Sequence, residues 1–455
     1  MSSEPSSPGP IEPRPSPHRP HADRTTSATE IYDVVVVGGG AAGVGAAVGA
    51  AQAGARTLLL ESAGYLGGAA TQKCVQTYCG LYTMHDAPRP AILGVSAQVV
   101  AKLRRLGGVE GPLKFRGTFL LLDGEAVKFA CDQVCAEAGV DVLLHAMLID
   151  AGRNGGKVSG IVYHDHNGDH EIEGRAFVDA SGECDLAYFA DASTRYGNDG
   201  FINLGTLGTR FGGIGPDASL DAADWTAAIR AARRAGVSPL SKDASLVARV
   251  PLSNDVITYL VSQAYDARDA RSISAAERLG REQAWAYLEV VRGMKGCENA
   301  YLAVTGPSFG TRESRHVDSL HQLKEEDVLK GARFKDSIAL GAWGMEWHSA
   351  ETSESEFRYP GGNGVYEIPL GAITSADTAN LFAGGRCADG DRMAGASLRV
   401  MGTAFATGQA SGVAAAEFAR HGRVADVARV QKALREQGAL IDGDDLPNPV
   451  PLVTR

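Results

Sequence analysis

Three glycines in the run Val37-Gly38-Gly39-Gly40-Ala41-Ala42-Gly43 fall at G-x-G-x-x-G spacing, and an acid, Glu61, follows 21 residues after Gly40. The spacing is weak by itself. It gains meaning because a β-branched apolar run precedes it and a run of small residues follows it, the strand–turn–helix context that a dinucleotide site needs. Gly38 permits the tight turn, Gly40 lets a pyrophosphate approach the backbone, and Gly43 lets helix and strand pack closely. The helix start offers free N–H groups and the positive end of its dipole to phosphates. Glu61 can accept hydrogen bonds from the ribose hydroxyls. NAD and FAD satisfy this pattern equally.

Other side chains could carry chemistry of a different kind. Arg312 and Arg315 lie three apart in Gly310-Thr311-Arg312-Glu313-Ser314-Arg315. A guanidinium grips a carboxylate at two points, so both arginines suit substrate anchoring or cofactor electrostatics. The alternative is an internal ion pair between Glu313 and an arginine that holds a loop. Cys74 and Cys79 have C-x4-C spacing, and are read either as a redox pair or, preferably, as two buried thiols. Cys131 and Cys135 share one face of a helix, where core packing explains them. His85, His316 and His348 are the imidazoles considered for proton transfer near neutral pH.

The elements that must position these residues follow from apolar patterning. Tyr32–Val37 reads as a buried strand, Ala41–Ala53 as a tightly packed helix ended by Gly54, and Arg56–Leu60 as a second strand. A helix is expected near residues 94–106 and another over Val127–Ala138, with a strand at Val140–Leu144. Val158–His164 and His170–Glu173 form a hairpin across Asn167-Gly168, and Ala176–Ala180 is a further strand. Beyond residue 216 the pattern turns helical. Leu220–Ala235 is one helix, and Ala275–Met294 is another, opened by Ser274 and Glu277 as a capping box. Tyr301–Val304 returns to a sheet, Asn380–Ala383 is a short strand, and Arg399–Arg420 is a long helix of small residues.

Further matches lie downstream: Gly67-Gly68-Ala69-Ala70-Thr71, the strand-to-turn run from Phe177 to Asp185 that holds Ser181 and Gly182, and Gly384-Gly385-Arg386 after the 380–383 strand. With Arg312–Arg315, Tyr366–Leu370, Arg399–Ala404 and Gly408–Gly412, they resemble the FAD-dependent oxidoreductases of the glutathione-reductase-like superfamily. The nearest resemblance is to relatives of the heterodisulfide reductase flavin subunit. It runs from about residue 32 to 418 and implies FAD as cofactor. The implied fold is α/β: a Rossmann-like FAD-binding domain of glutathione-reductase type with an inserted α+β substrate domain. The implied division is a Pro/Ser-rich tail at 1–29, FAD-domain segments at 30–115 and 116–215, a substrate or cap domain at 216–375, the last FAD strand and helix at 376–420, and an extension at 421–455. Residues implied to hold FAD are Gly38, Gly40, Ala42, Gly43, Glu61, Gly67, Gly68, Thr71, Met147, Ser181, Gly182, Gly385, Arg386, Arg399 and Val400. The cluster-binding cysteines of the heterodisulfide relatives are missing, and no second framed G-x-G-x-x-G supplies an NAD(P)H domain; Gly205, Gly208 and Gly212 are spaced differently.

By the same resemblance the helix from about Arg399 points its N-terminus at the flavin N1 and C2 carbonyl, where its dipole would stabilise negative charge. Arg399 would add a full positive charge, or else pair with a surface acid. His348, in Trp343-Gly344-Met345-Glu346-Trp347-His348, is the expected catalytic base, with Arg312 and Arg315 beside it. The leading expectation is a dehydrogenase or oxidase that passes hydride from a small molecule to flavin N5, with oxygen or another external acceptor to reoxidise it. The competing readings are a flavin monooxygenase, thiol–disulfide exchange at Cys74 and Cys79, and an FAD-holding scaffold. The tryptophan-halogenase signature W-x-W-x-I-P is absent.

Composition narrows the classes. The chain has 455 residues and a formal net charge of −10, with no polybasic run, which argues against nucleic acid and anionic membranes. No apolar stretch is long enough to span a bilayer. There are 56 glycines, clustered in loops beside apolar runs as expected where backbone approaches a ligand. Seven cysteines without a C-x-x-C pair argue against structural disulfides, a zinc ribbon and an iron–sulfur cluster, and place the protein in a reducing cytoplasm. No metal is expected. A homo-oligomer is compatible with the sequence.

Overall fold

A computed structural model describes residues 30–348, 356–423 and 426–453. The tail expected over residues 1–29 lies outside the described residues. The runs Val34–Val36 and Leu58–Leu60 are almost wholly buried, as strands covered on both faces must be. They belong to the strands Ile31–Val37 and Thr57–Leu60, which pair in parallel with the helix Ala41–Gln52 between them. The short strand Asp141–Leu143 adds in parallel beyond Thr57–Leu60.

The other side of Ile31–Val37 is taken by one long strand, Gly168–Asp179. The two pieces expected at His170–Glu173 and Ala176–Ala180 are therefore continuous, because Gly174 and Arg175 keep an extended backbone between them. Its first half closes an antiparallel meander with Lys157–Asp165, which pairs in turn with Met147–Asn154. Its second half lies parallel to Leu381–Ala383. One seven-stranded sheet results, a mixed α/β sheet with a parallel core.

Helices Ala41–Gln52 and Met401–His421 cover this sheet and press against each other through small residues. A Cβ on Gly408 would lie 2.0 Å from the Ala42 carbonyl oxygen, and one on Gly412 would lie 1.9 Å from that of Ala46. The small-residue composition of both helices thus reflects backbone-close packing.

The helix expected over Arg399–Arg420 is present as Met401–His421, and a separate short helix, Arg392–Leu398, precedes it. Arg392–Leu398 ends where the Arg399 N–H donates to Gly395 O, Val400 turns extended, and the long helix begins at Met401. The break gives the long helix a fresh N-terminus.

Residues 202–309 build a separate core around Phe211, Trp225, Tyr287 and Phe309. It combines the antiparallel strands Val247–Arg249, Val256–Thr258, Thr209–Gly212 and Tyr301–Thr305 with helices Ala222–Arg234 and Ala270–Arg292. The second helix starts five residues before the expected Ser274–Glu277 box. Asp269 caps it by accepting from Arg271 N and Ser272 N, and Glu277 instead accepts from Phe309 N and pairs with Arg281. An aspartate at the true start satisfies the free N–H groups that the Ser274 box would have served.

Candidate active site

A cavity of about 600 Å³ opens where the carboxyl ends of the parallel strands meet the 202–309 core. This is where open α/β sheets bind ligands. One end is lined by Gly38, Gly40, Ala42, Glu61 and Gly68, and the other by Lys242, Arg312, Glu346, His348 and Arg399.

The first end is a backbone cradle. Gly38 has φ +99°, and a Cβ there would sit 2.3 Å from Ala180 O. A Cβ on Gly43 would sit 1.6 Å from Gly38 O, so Gly43 serves strand–helix packing and does not form a wall of the cavity. Gly67 and Thr71 are likewise behind the wall: Thr71 Oγ1 donates to Leu66 O at 2.9 Å, and a Cβ on Gly67 would strike the Thr71 side chain. Gly68 does line the cavity, and a Cβ there would lie 2.6 Å from Gly40 Cα. Met147, Ser181, Gly182, Gly385, Arg386, Arg399 and Val400 also line it.

Glu61 is buried. Its Oε2 accepts from Gly39 N at 2.7 Å and its Oε1 from Ala63 N at 2.7 Å, Ser62 Oγ and Gln72 Nε2. The carboxylate therefore ties the glycine loop to the second strand. Oε2, with one protein donor, keeps acceptor capacity for a ribose hydroxyl.

Helix starts differ in their capping: that at Val95, away from the cavity, has no cap of its own and its N–H donates to Gln409 Oε1. Those at Gly124, Ala222, Ala270, Arg392 and Val427 are capped by the side chains of Asp123, Asp221, Asp269, Asp391 and Asp426. The starts at Ala41 and Met401, both at the cavity, carry no side-chain cap. Their N–H groups need partners, and a bound dinucleotide supplies phosphate and carbonyl oxygens.

Between the ends lies an ion-paired group in which Arg386, expected at the cofactor, meets Glu183, which the sequence reading did not single out. Arg386 Nη2 donates to Glu183 Oε1 at 2.7 Å and to Thr311 Oγ1 at 3.0 Å, and Thr311 Oγ1 donates to the same carboxylate at 2.6 Å. Burial pushes the Glu183 carboxyl up, but Arg386 and these hydrogen bonds pull it below its usual range. Lys73 Nζ donates to Ser308 Oγ at 2.6 Å, and burial lowers its proton affinity.

The second end is cationic. Arg312 Nη1 donates to Leu204 O at 2.6 Å, and burial followed by the neighbouring Arg399 brings its guanidinium down to about 10. Arg399 Nη2 donates to Glu346 O at 2.9 Å and lies 4.0 Å from its carboxylate, while its buried Nε has no partner. Its partners are thus backbone and Glu346 at the cavity, in place of the surface acid considered for it. Lys242 is pushed down to about 7 by burial and by Arg312. His348 is held well below its ordinary value by burial, then by Arg312, Lys242 and Arg399, so its imidazole is neutral. Its backbone N–H donates to Asn203 Oδ1 at 2.8 Å, and Nε2 lies 3.6 Å from Glu346 Oε1.

Several expectations need correction. Arg315 does not line the cavity: it lies on the strand Arg315–Val317, bonds Asp185 at 3.3 Å and stacks 4.0 Å over Tyr188. Arg312 lies in a bend ahead of that strand, so the two side chains are sent to different places. Among the described residues Glu313 pairs with no arginine; it holds His316 Nε2 at 3.2 Å and accepts from Asn203 N. His316 is buried in that contact, and neither it nor His85 reaches the cavity. Cys79 lines the cavity but Cys74 does not, and burial pushes each thiol up to about 12. Thiol–disulfide exchange needs a thiolate, so this pair is unsuited to it. Lys242 and Glu346 were missed. Glu346 sits two residues before His348 and could have been flagged with it, whereas Lys242 stands in a loop without any motif.

A family profile described as "FAD dependent oxidoreductase" matches residues 33–437. The chain belongs to this family. It is an FAD-dependent oxidoreductase, and the uncapped helix starts and glycine cradle fit that cofactor. No curated protein matches it. Among solved structures, a geranylgeranyl bacteriochlorophyll reductase-like protein from Thermoplasma acidophilum is 14% identical, with 90% of this chain and 83% of that one covered and a TM-score of 0.45. The myxobacterial chondrochloren halogenase CndH is 15% identical, with coverage of 90% and 79% and a TM-score of 0.43. The p-nitrophenol 4-monooxygenase PnpA from Pseudomonas putida is 12% identical, with coverage of 89% and 84% and a TM-score of 0.42. Among the described residues no helix is long and apolar enough to cross a membrane.

Proposed function

We propose that this oxidoreductase is a dehydrogenase or oxidase of the glutathione-reductase-like superfamily, acting on a small molecule bound between FAD and His348. Support for the superfamily comes from the parallel βαβ unit, the meander that feeds the strand Gly168–Asp179, and the last strand and helix at 381–383 and 401–421. FAD supplies the hydride acceptor and, in turn, the route for electrons to oxygen or another external acceptor.

The protein's part follows from its own side chains. Gly38, Gly40 and Gly68 admit the pyrophosphate, and Glu61 orients the ribose. The start of helix Met401–His421 and Arg399 place positive potential where charge develops. His348 takes the proton of the substrate's hydroxyl or amine on an imidazole nitrogen. The single observation that carries this reading is a neutral, buried imidazole in the same cavity as the dinucleotide cradle.

The test is anaerobic reduction of the purified holoprotein with alcohol and amine donors, followed by the visible flavin absorbance. Bleaching by a donor alone supports the reading. Bleaching only by an external nicotinamide, with oxygen later inserted into a substrate, would make the protein a monooxygenase. Flavin that no small molecule reduces would make it a scaffold.

A further inference from the structure

Lys242, Arg312 and Arg399 reach one end of the cavity from three remote stretches of chain. Arg312 and Arg399 both lower the proton affinity of Lys242, and Arg399 lowers that of Arg312. Glu346 answers part of this charge, through Arg399 at 4.0 Å and His348 at 3.6 Å. Among the described residues, no carboxylate lies within 4 Å of Lys242 Nζ or of the Arg312 guanidinium. Arg399 Nε is buried and unpartnered. Gathering like charges out of water is costly unless an anion completes the group.

Phe115, Phe119, Tyr259 and Trp343 add aromatic surface to the cavity lining, beside a further cation, Arg116. We infer that the substrate is an organic carboxylate, its anionic head held by Arg312, Lys242 and Arg399 and its apolar body against these rings. The planar fork of Arg312 matches a carboxylate at two points, and Lys242 adds a point charge. The inference rests on the proposed reaction only in calling the bound molecule a substrate.

It also gives His348 a reason to work. Its imidazole is a weak base while four cations, Arg312, Lys242, Arg399 and Arg116, surround it. A bound carboxylate cancels part of that field, so the imidazole gains basicity when substrate is present.

The test is binding to the FAD-loaded protein, read by calorimetry and by perturbation of the flavin spectrum, and it needs no turnover. The probes are benzoate, hexanoate and succinate, their amides, and inorganic phosphate. We expect at least one carboxylate to bind about tenfold or more tightly than its own amide. Arg312→Met and Lys242→Met should each erase that preference while FAD content stays at the wild-type level, and Arg312→Lys should restore part of it. Equal binding of every acid and its amide, or a preference that survives both methionine variants, overturns the inference. Phosphate that binds tighter than every carboxylate overturns the carboxylate class. Donor reduction can fail while carboxylates still bind, so the two readings fall separately.

Discussion

The two ends of the cavity are built from different materials. At the dinucleotide end the working groups are backbone atoms: N–H groups at uncapped helix starts and glycines whose missing Cβ makes room. Gly38, Gly40 and the helix start at Ala41 come from one continuous β-α-β stretch, Ile31–Leu60, to which Gly68 and the start at Met401 are added. At the cationic end the working groups are side-chain tips, carried by residues 242, 312, 346, 348 and 399, and only tertiary folding brings them together. Backbone recognition suits a constant cofactor, because it requires a local conformation. Side-chain recognition suits a variable substrate, because single residues can change without disturbing the sheet.

The largest effect that would break this contrast is a side chain in the cradle. Gly43→Val would put atoms onto Gly38 O, so we expect the purified protein to carry almost no flavin, as read from its flavin-to-protein ratio. A yellow variant would show that the turn is not the cofactor's support.

At the other end, His348→Gln should lower the rate of donor reduction by about 100-fold or more and leave flavin content unchanged, as stopped-flow bleaching would show. Loss of flavin in that variant would merge the two ends into one site.

A smaller effect is expected from pH. Lys242 faces Arg312, Arg399, Arg116 and Glu346, and its ammonium sits at about 7. The arginines keep their charge through this range, Arg312 to about 10. Lys242 alone therefore loses charge as pH rises above 7, so carboxylate affinity should fall between neutral and alkaline pH. The slope should vanish in Lys242→Met. The sign for stability is the reverse. Unfolded lysine holds its proton up to its ordinary value, so the folded state gains stability with rising pH across that window. Thermal melts of wild type and Lys242→Met would separate the two trends.

The smallest effects belong to residues that neither end uses, Cys79 among them although it lines the cavity. Cys74→Ser and Cys79→Ser should leave donor reduction within about twofold, since neither thiol ionises. Arg315→Met should cost about 1 kcal/mol of stability through its lost contacts with Asp185 and Tyr188, with substrate affinity unchanged. A kinetic effect of either kind would bring those residues back to the chemistry.

Much of the cofactor end was legible because its signal is local. The glycine spacing, the apolar strand before it and Glu61 after it lie within one unit whose periodicity can be read directly. Even there, the division of labour between walls and supports was not visible. Gly43, Gly67 and Thr71 share motifs with residues that line the cavity, and only packing shows that they stand behind it. Arg312 and Arg315 look equivalent as a pair. A turn and a strand send them to different places, one into the cavity and the other onto Tyr188 and Asp185.

The short helix Arg392–Leu398 escaped the sequence reading because seven residues are too few to show a helical period, and the turn at Arg399–Val400 leaves no compositional mark. Lys242 had no motif at all. The sequence by itself determined the βαβ unit, the FAD family and the close packing of two small-residue helices, since each follows from neighbours along the chain. The tertiary structure alone decided the charge of the cationic end and the lowered proton affinity of His348. Those depend on Coulomb interactions between groups that are distant in sequence and share a buried cavity.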